Sequence, residues 1–268
     1  MTEREYRTHP SISRSELWRL NESPEKFKWF KDNPEPATPA LLFGQLIHKL
    51  LLQAKTFGDE FAVAPDIDKR TKAGKEIWAE FELSNQGKAI VTADMFDTAM
   101  AMVKKAYSYD AVKRLLDGEH EVPFFWTDEM TGEKCKCRVD SISIKDGSTA
   151  VIVDYKTAES AETRAFNSKL FKYGYHFQAG MYSVGVQTAL NLPVLPKFIF
   201  IVQEKKPPYS VNIVSVPDDV MLFGIDKYRE LLGIYHTCKE TDYWYGYTGP
   251  LDEWNEAYLP NWVLGGEE

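Results

Sequence analysis

Cysteine is scarce: Cys135, Cys137 and Cys238 are the only three in 268 residues. That excludes a disulfide-stapled scaffold, and reduced thiols in a cytosolic protein are the simplest expectation. Cys135 and Cys137 alternate in a strand-like segment with no cluster of Cys or His beside them, which argues against zinc. The opening MTEREYRTHP is polar and lacks the apolar core of a signal peptide. No apolar run reaches the length of a membrane span. The longest, around 41–52, is interrupted by Gly44, Gln45, His48 and Lys49. There is no internal repeat, no low-complexity tract and no Walker pattern of a nucleotide-driven motor. Excess positive charge is missing too, since the formal net charge is -8. That argues against coating nucleic acid by bulk charge. It leaves room for a local basic groove, or for carboxylates gathered around a metal ion.

What is present suits one well-cored domain over 1–268, with 44% hydrophobic and 27% charged residues. ISRSELWRLNESPEKFKWFKD predicts two helices within 11–32, with Ser13 or Ser15 as a cap and Pro24 in the first turn of the second. ALLFGQLIHKLLLQ (40–53) predicts a helix, as do DKRTKAGKEIWAEF (68–81) and the long segment 91–116, broken near Ser108. The period then changes to two. Three antiparallel strands are predicted at 121–129, 134–145 and 149–157, joined by Met130-Thr131-Gly132 and Asp146-Gly147-Ser148. A helix over 174–190, strands at 197–205 and 208–216 and a helix at 217–237 complete a mixed α/β or α+β order. The core spans about 40–216, and the aromatic tail, Tyr243 to Trp262, is expected to wrap the surface.

The second hairpin carries the first chemical signal. If Lys145 faces Thr149, then Ile144 faces Ala150 and Ile142 faces Ile152, and the next pair outward is Asp140 opposite Asp154. Carboxylates about 4.5–5.5 Å apart at Cβ resist joint ionisation unless something positive lies between them. Lys156, two residues beyond Asp154, shares its face. Two readings fit: a surface ion pair of little value, or a site for a hard divalent cation with an ammonium beside it. His48, with Gly44 one turn earlier, is either a core histidine or a ligand. Gly44 suggests the close approach of another backbone. Gln178 and Tyr182 share a helix face, and Gly174, Gly180 and Gly185 would let that helix lie tight against the sheet.

Taken in order, FGQLIH (43–48), RVD (138–140), VDYKT (153–157) and QAGMY (178–182) resemble the PD-(D/E)xK nucleases. More narrowly, they are similar to the RecB-like branch and to the RecE exonucleases (exodeoxyribonuclease VIII). Members show a GxxxH helix, an aspartate strand, a D-x-K strand and a QxxxY helix in this order. The match covers roughly 11–190. It implies a restriction-endonuclease-like core, a central mixed β-sheet flanked by helices with N-terminal helical additions. It implies that His48, Asp140, Asp154 and the Tyr155 carbonyl bind Mg²⁺ or Mn²⁺, and that Lys156 activates or positions the attacking water. Gln178 and Tyr182 would support the lysine and contact the DNA backbone, with Glu121 as an additional acid. Cysteines of an iron–sulfur cluster, present in some relatives, have no counterpart here, so no cluster is expected.

The activity so implied is a metal-dependent 5′→3′ exonuclease on linear duplex DNA in phage or prophage recombination, in the bacterial cytoplasm. Its implied partners are double-stranded DNA ends, a single-strand annealing protein and further copies in a ring. An endonuclease, a repair or CRISPR-adaptation nuclease, or a catalytically silent DNA-binding module on the same core are the alternatives. Arg70, Lys72 and Lys75, with Lys69, precede Trp78 and are candidates for phosphate contacts without base readout. Lys169, Lys172, Lys205 and Lys206 are further candidates.

Overall fold

A computed structural model describes residues 3–34, 36 and 38–259. The chain opens with α1 (Glu3–Thr8), β1 (Ile12–Ser13), α2 (Arg14–Arg19) and α3 (Pro24–Asp32). Of the two candidate serines, Ser13 is the cap of α2: its side chain accepts the Glu16 N–H while Glu16 reaches back to the Ser13 N–H. Ser23 caps α3, with Pro24 in the first turn. α4 (Pro39–Leu52) buries Leu46, Ile47, Leu50, Leu51 and Leu52. Then come α5 (Phe57–Glu60), β2 (Phe61–Val63), α6 (Lys72–Ser84) and β3 (Ala89–Val91). α7 (Ala93–Ala106) and α8 (Asp110–Leu115) follow, separated near Ser108 as the sequence predicts.

The meander is β4 (Glu119–Thr127), β5 (Lys134–Lys145) and β6 (Thr149–Ala158). After it come α9 (Thr163–Lys172), α10 (Tyr175–Leu190), β7 (Lys197–Glu204), β8 (Val211–Ser215) and α11 (Asp218–Thr241). Periodicity does not predict α1, β2, β3 or α9. Of the ten residues of α9 only Phe166 and Leu170 are buried, too thin a stripe to stand out in the sequence. Among the described residues the tail packs on the surface at its start, where Trp244 stacks on Phe27 at 5.3 Å and the Glu25 N–H donates to the Tyr245 carbonyl. Leu251, Trp254 and Tyr258 are exposed, and Trp262 lies outside the described residues.

β5, β6, β7 and β8 are successive neighbours in the main sheet, β6 and β7 running parallel and the other two pairs antiparallel. β4 covers the far edge of β5, and β1 adds a two-residue parallel pairing at Cys135 and Lys136. β2 and β3 make a separate parallel pair. The β5–β6 register is the predicted one: Lys145 faces Thr149, Ile144 faces Ala150 and Ile142 faces Ile152. Asp146 and Gly147 turn the hairpin with φ of 51° and 64°, and the Ser148 N–H donates to the Lys145 carbonyl.

The ladder then ends at Ser141 and Val153, so that Asp140 and Asp154 stand where the two strands part. Beyond this fork β6 continues beside β7 as far as Ala158, while β5 receives β1.

Two apolar clusters lie on opposite faces of the sheet. One joins Leu17, Phe27, Trp126, Phe177, Phe198, Phe200 and Tyr228 under α2, α3, α10 and α11. The other joins Leu46, Ile47, Leu50, Met102, Val153, Tyr155 and Ile201 under α4, α7 and α8. Their membership along β5 exposes a slip in the two-residue period. Cys135, Cys137 and Val139 face the first cluster, yet so does Ile142, an even position. β4 slips at the same level: Phe124 and Trp126 face the first cluster, whereas the His120 ring bonds the Leu52 and Leu116 carbonyls beside the second. The register is the same on both sides of the slip, although Glu121 and Asp140 themselves are not paired in the ladder. The two strands exchange faces together, at Glu121 and Asp140.

Candidate active site

Glu121 is the residue of β4 that the count places opposite Asp140, and its φ is 52°. A left-handed backbone is unfavourable for a glutamate, by about 1–3 kcal/mol, and such strain gathers where geometry matters to function. Here it lifts the Glu121 carboxylate out of the regular alternation toward Asp140. His48 of α4 closes the group, with Nδ1 3.4 Å from Asp140 Oδ2 and 3.9 Å from Glu121 Oε1. Its ring stands edge-on to that of Tyr155, with centroids 5.5 Å apart. One ligand atom each from His48, Glu121 and Asp140 lie within 4.8 Å of one another. The other Glu121 oxygen receives Arg138 Nε at 2.8 Å.

Asp140 also accounts for the fork. Its Oδ2 accepts the Tyr155 N–H at 2.8 Å, taking the donor that an unbroken ladder would give to β5. In a strand the N–H and C=O of one residue face the same neighbour. The Tyr155 carbonyl therefore faces this same edge, where the resemblance requires it. The Tyr155 side chain points away, its hydroxyl donating to Gln203 in the second cluster.

Asp154 is nearly inaccessible, and its oxygens turn elsewhere than the sequence implies. Oδ1 accepts from Gln178 Nε2 at 2.5 Å, and Lys156 Nζ lies 2.6 Å from Oδ2. Oδ2 is fully buried and is held by this ion pair. Burial drives the Asp154 carboxyl above the ordinary carboxylate range, with Lys156 opposing and the Asp140 charge reinforcing the shift. Glu121 is pushed up to about 8, by burial first and by Asp140 second.

The three-atom group thus contains Glu121, and Asp154 stands next to it, joined through charge rather than within the same 4.8 Å. Gln178 supports Asp154 rather than the lysine directly. Tyr182, one turn along, is half-buried and packs toward Phe198 at 6.4 Å, and burial holds its phenol well above the usual range.

α10 reaches the site because small residues bring its neighbours close. A Cβ on Gly180 would fall 2.4 Å from the Gly224 carbonyl carbon of α11, so two helix backbones meet there. Its glycines therefore fit it against α11, the Trp126 ring and the Trp18 ring, not simply against the sheet. Gly44 was expected to admit a neighbouring backbone, yet nothing comes within 4 Å of a Cβ there; the helix is open at that point.

Sequence reasoning overlooked Arg14. Its Nη2 donates to the Tyr173 carbonyl and, at 2.8 Å, to the Gly174 carbonyl, just where α10 begins. Burial lowers its pKa, and Tyr182, Asp154 and Tyr175 lie close enough to counteract that shift. Ser-Arg-Ser ahead of a helix reads as capping chemistry, which conceals a cation aimed inward. The basic segment forms the start of α6 and the turn before it. Arg70 is paired with Asp68 through Nε at 3.0 Å, Lys69 lies over the Trp78 ring at 2.8 Å, and Lys72 and Lys75 are exposed on the first turn of α6.

The donor set suits a hard divalent cation. Two carboxylates and an imidazole converge, and Glu121, pushed up by burial first and by the Asp140 charge second, is a carboxyl that a cation would ionise.

No curated protein matches the chain. Among solved structures, a protein from Eubacterium rectale titled "Putative exonuclease" superposes with a TM-score of 0.61 over 98% of this chain and 97% of its own, at 13% identity. That likeness is one of fold. A second structure, SSO0001, gives a TM-score of 0.32 at 14% identity over 78% of this chain and 93% of its own, too low to carry argument. The family model described as "PDDEXK-like domain of unknown function (DUF3799)" matches residues 13–256, from the α2 cap to the tail. The chain belongs to this PDDEXK-like family, within the PD-(D/E)xK nuclease superfamily.

Proposed function

We propose that the protein is a divalent-cation-dependent deoxyribonuclease, acting 5′→3′ on linear duplex ends in phage or prophage recombination. The observation that carries this reading is the meeting of Glu121, Asp140 and His48 within 4.8 Å, beside an Asp154–Lys156 pair at 2.6 Å. A structural ion pair needs one acid and one base. This arrangement gathers three acids from three adjacent strands and strains the backbone at one of them.

His48, Glu121 and Asp140 would hold Mg²⁺ or Mn²⁺, with Asp154 and the Tyr155 carbonyl at hand. A cation so held acidifies a bound water and offsets charge on the phosphate. Gln178 fixes the Asp154 carboxylate through Oδ1, which in turn fixes Lys156. The Lys156 ammonium, one-fifth exposed, would orient a water in line with the scissile P–O bond. The exonuclease assignment draws on the resemblance to RecE and on the name of the Eubacterium rectale protein. A single-strand annealing protein as partner, and a ring of copies around the duplex, belong to the same reading.

Incubation with end-labelled linear duplex and with closed circular duplex tests it, in Mg²⁺ and again in EDTA. Degradation of linear DNA alone, from the 5′ end and stopped by EDTA, is the expected result. Cutting of circles reassigns the protein as an endonuclease. Binding without cutting in Mg²⁺ and in Mn²⁺ overturns the hydrolase reading in favour of a silent DNA-binding module.

A further inference from the structure

Immediately beyond Lys156 the end of β6 borders a depression of about 140 Å³, bounded by Lys156, Glu159, Lys169, Tyr173, Tyr175 and Lys205 among others. At the volume of liquid water it equals roughly five molecules, room for a phosphate and part of its sugar. Its charge is unlike that of the whole chain. Three lysines against one glutamate give the lining a formal charge of +2 (3 − 1), in a protein of net charge -8. The three cations come from separate parts of the fold: Lys156 from β6, Lys169 from the last turn of α9, and Lys205 from the residue just past β7.

Lys205 is anchored by its main chain, whose N–H donates to the Ala158 carbonyl at 3.0 Å. α9 is anchored by buried Phe166 and Leu170, one on either side of Lys169. The depression runs away from Asp154 along the strand. From Lys156 to Glu159 is about 10 Å at the rise of a β-strand, within one nucleotide's reach of the scissile bond.

An anion already lies in it. Glu159 Oε1 is 2.6 Å from Lys205 Nζ, and Lys205, Lys206 and Lys169 together hold the Glu159 carboxyl below the usual carboxylate range. The glutamate is 60% exposed, so the contact is weak and readily exchanged. We infer that this depression seats the phosphate of the nucleotide next to the scissile bond, bound by Lys169 and Lys205, and that the Glu159 carboxylate holds that place until DNA displaces it. This rests on the DNA-hydrolase reading above and adds to it a substrate subsite with a built-in competitor. Tyr173, nearly half exposed at its rim, offers a ring face to the attached sugar or base.

A competitor and its binding partners give opposite signs on mutation, which ordinary surface lysines do not. The test is fluorescence anisotropy with a labelled single-stranded oligonucleotide in EDTA, over a range of salt, on the full chain and on Glu159→Gln, Lys169→Ala, Lys205→Ala and the double lysine variant. All three positions reach the surface, and thermal melting checks that each variant is folded.

The double lysine variant should bind about tenfold more weakly, with the salt slope reduced by one to two ions. Glu159→Gln should bind about two- to fivefold more tightly, the equivalent of an exposed ion pair released. Equal binding by all variants, weaker binding by Glu159→Gln, or no binding by the unmutated chain overturns the inference. Since binding is read without cleavage, these shifts in a protein that never cuts DNA would retain the subsite and remove the hydrolase. Cleavage with unshifted binding would do the reverse.

Discussion

Glu121 and Asp140 stand opposite each other on β4 and β5 at the level where both strands turn over, so that neither carboxylate belongs to a face of the sheet. A regular ladder would send alternate residues up and down. The paired slip instead directs two acids toward His48 and opens the fork that receives Asp154 and Lys156 from β6. The site is made by a fault shared between two strands.

Removing either acid should therefore weaken cation binding. Glu121→Gln and Asp140→Asn are expected to lower Mn²⁺ affinity by more than the roughly 10–100-fold typical of losing an outer-shell partner. Titration calorimetry measures it. Unchanged Mn²⁺ affinity in Glu121→Gln would return this residue to a structural role with Arg138.

Lys156 behaves differently. Lys156→Ala should reduce cleavage about 10²–10³-fold, as for loss of one preorganised donor, while Mn²⁺ binds at least as tightly because a positive charge has gone. Single-turnover cleavage and calorimetry on the same preparation separate the two effects, and weakened Mn²⁺ binding would count against the assignment.

The pH dependence has a definite sign. Glu121 is pushed up to about 8 in the folded chain from an ordinary 4.5, by burial and by Asp140. The folded state therefore keeps a proton that the unfolded state has lost. This contribution to stability is present below pH 4.5 and is lost as pH rises through about 8. Cation-free protein should melt at lower temperature at pH 8 than at pH 6, and Glu121→Gln should flatten that slope. Mn²⁺ affinity should rise across the same interval, because binding displaces the proton.

Packing offers a test independent of chemistry. Gly180→Ala places a methyl 2.4 Å from the α11 backbone and should destabilise by about 1–3 kcal/mol, read by denaturant unfolding. Cleavage should fall with it, because the same helix carries Gln178 to Asp154. A variant as stable as the parent would mean that the two helices can separate freely.

Much of this was legible in the chain. The turn Asp146-Gly147-Ser148 and the apolar pairs beyond it specify the β5–β6 register, and register alone brings Asp140 level with Asp154. The GxxxH, D-x-K and QxxxY spacings are local, and local spacing survives folding intact. What escaped is non-local or hidden by pattern. EVPFFW looks like any alternating strand, and nothing in it announces a left-handed φ at Glu121. Arg14 reads as part of a serine cap because its partners, Tyr173 and Gly174, lie about 160 residues away. α9 buries two side chains and offers periodicity little to detect. The stretch with Arg70, Lys72 and Lys75 is where the sequence places it, but which surface it serves depends on packing that composition does not encode.

The clasp of Arg14 and Trp18 on the Tyr173-Gly174 corner bears on how the molecule can be trimmed. These two residues of α2 secure the departure point of the helix that steadies Asp154. A version beginning at α4 would keep Glu121, Asp140 and Asp154 yet lose the clasp at the start of the helix that carries Gln178, so a working unit needs Arg14 and Trp18.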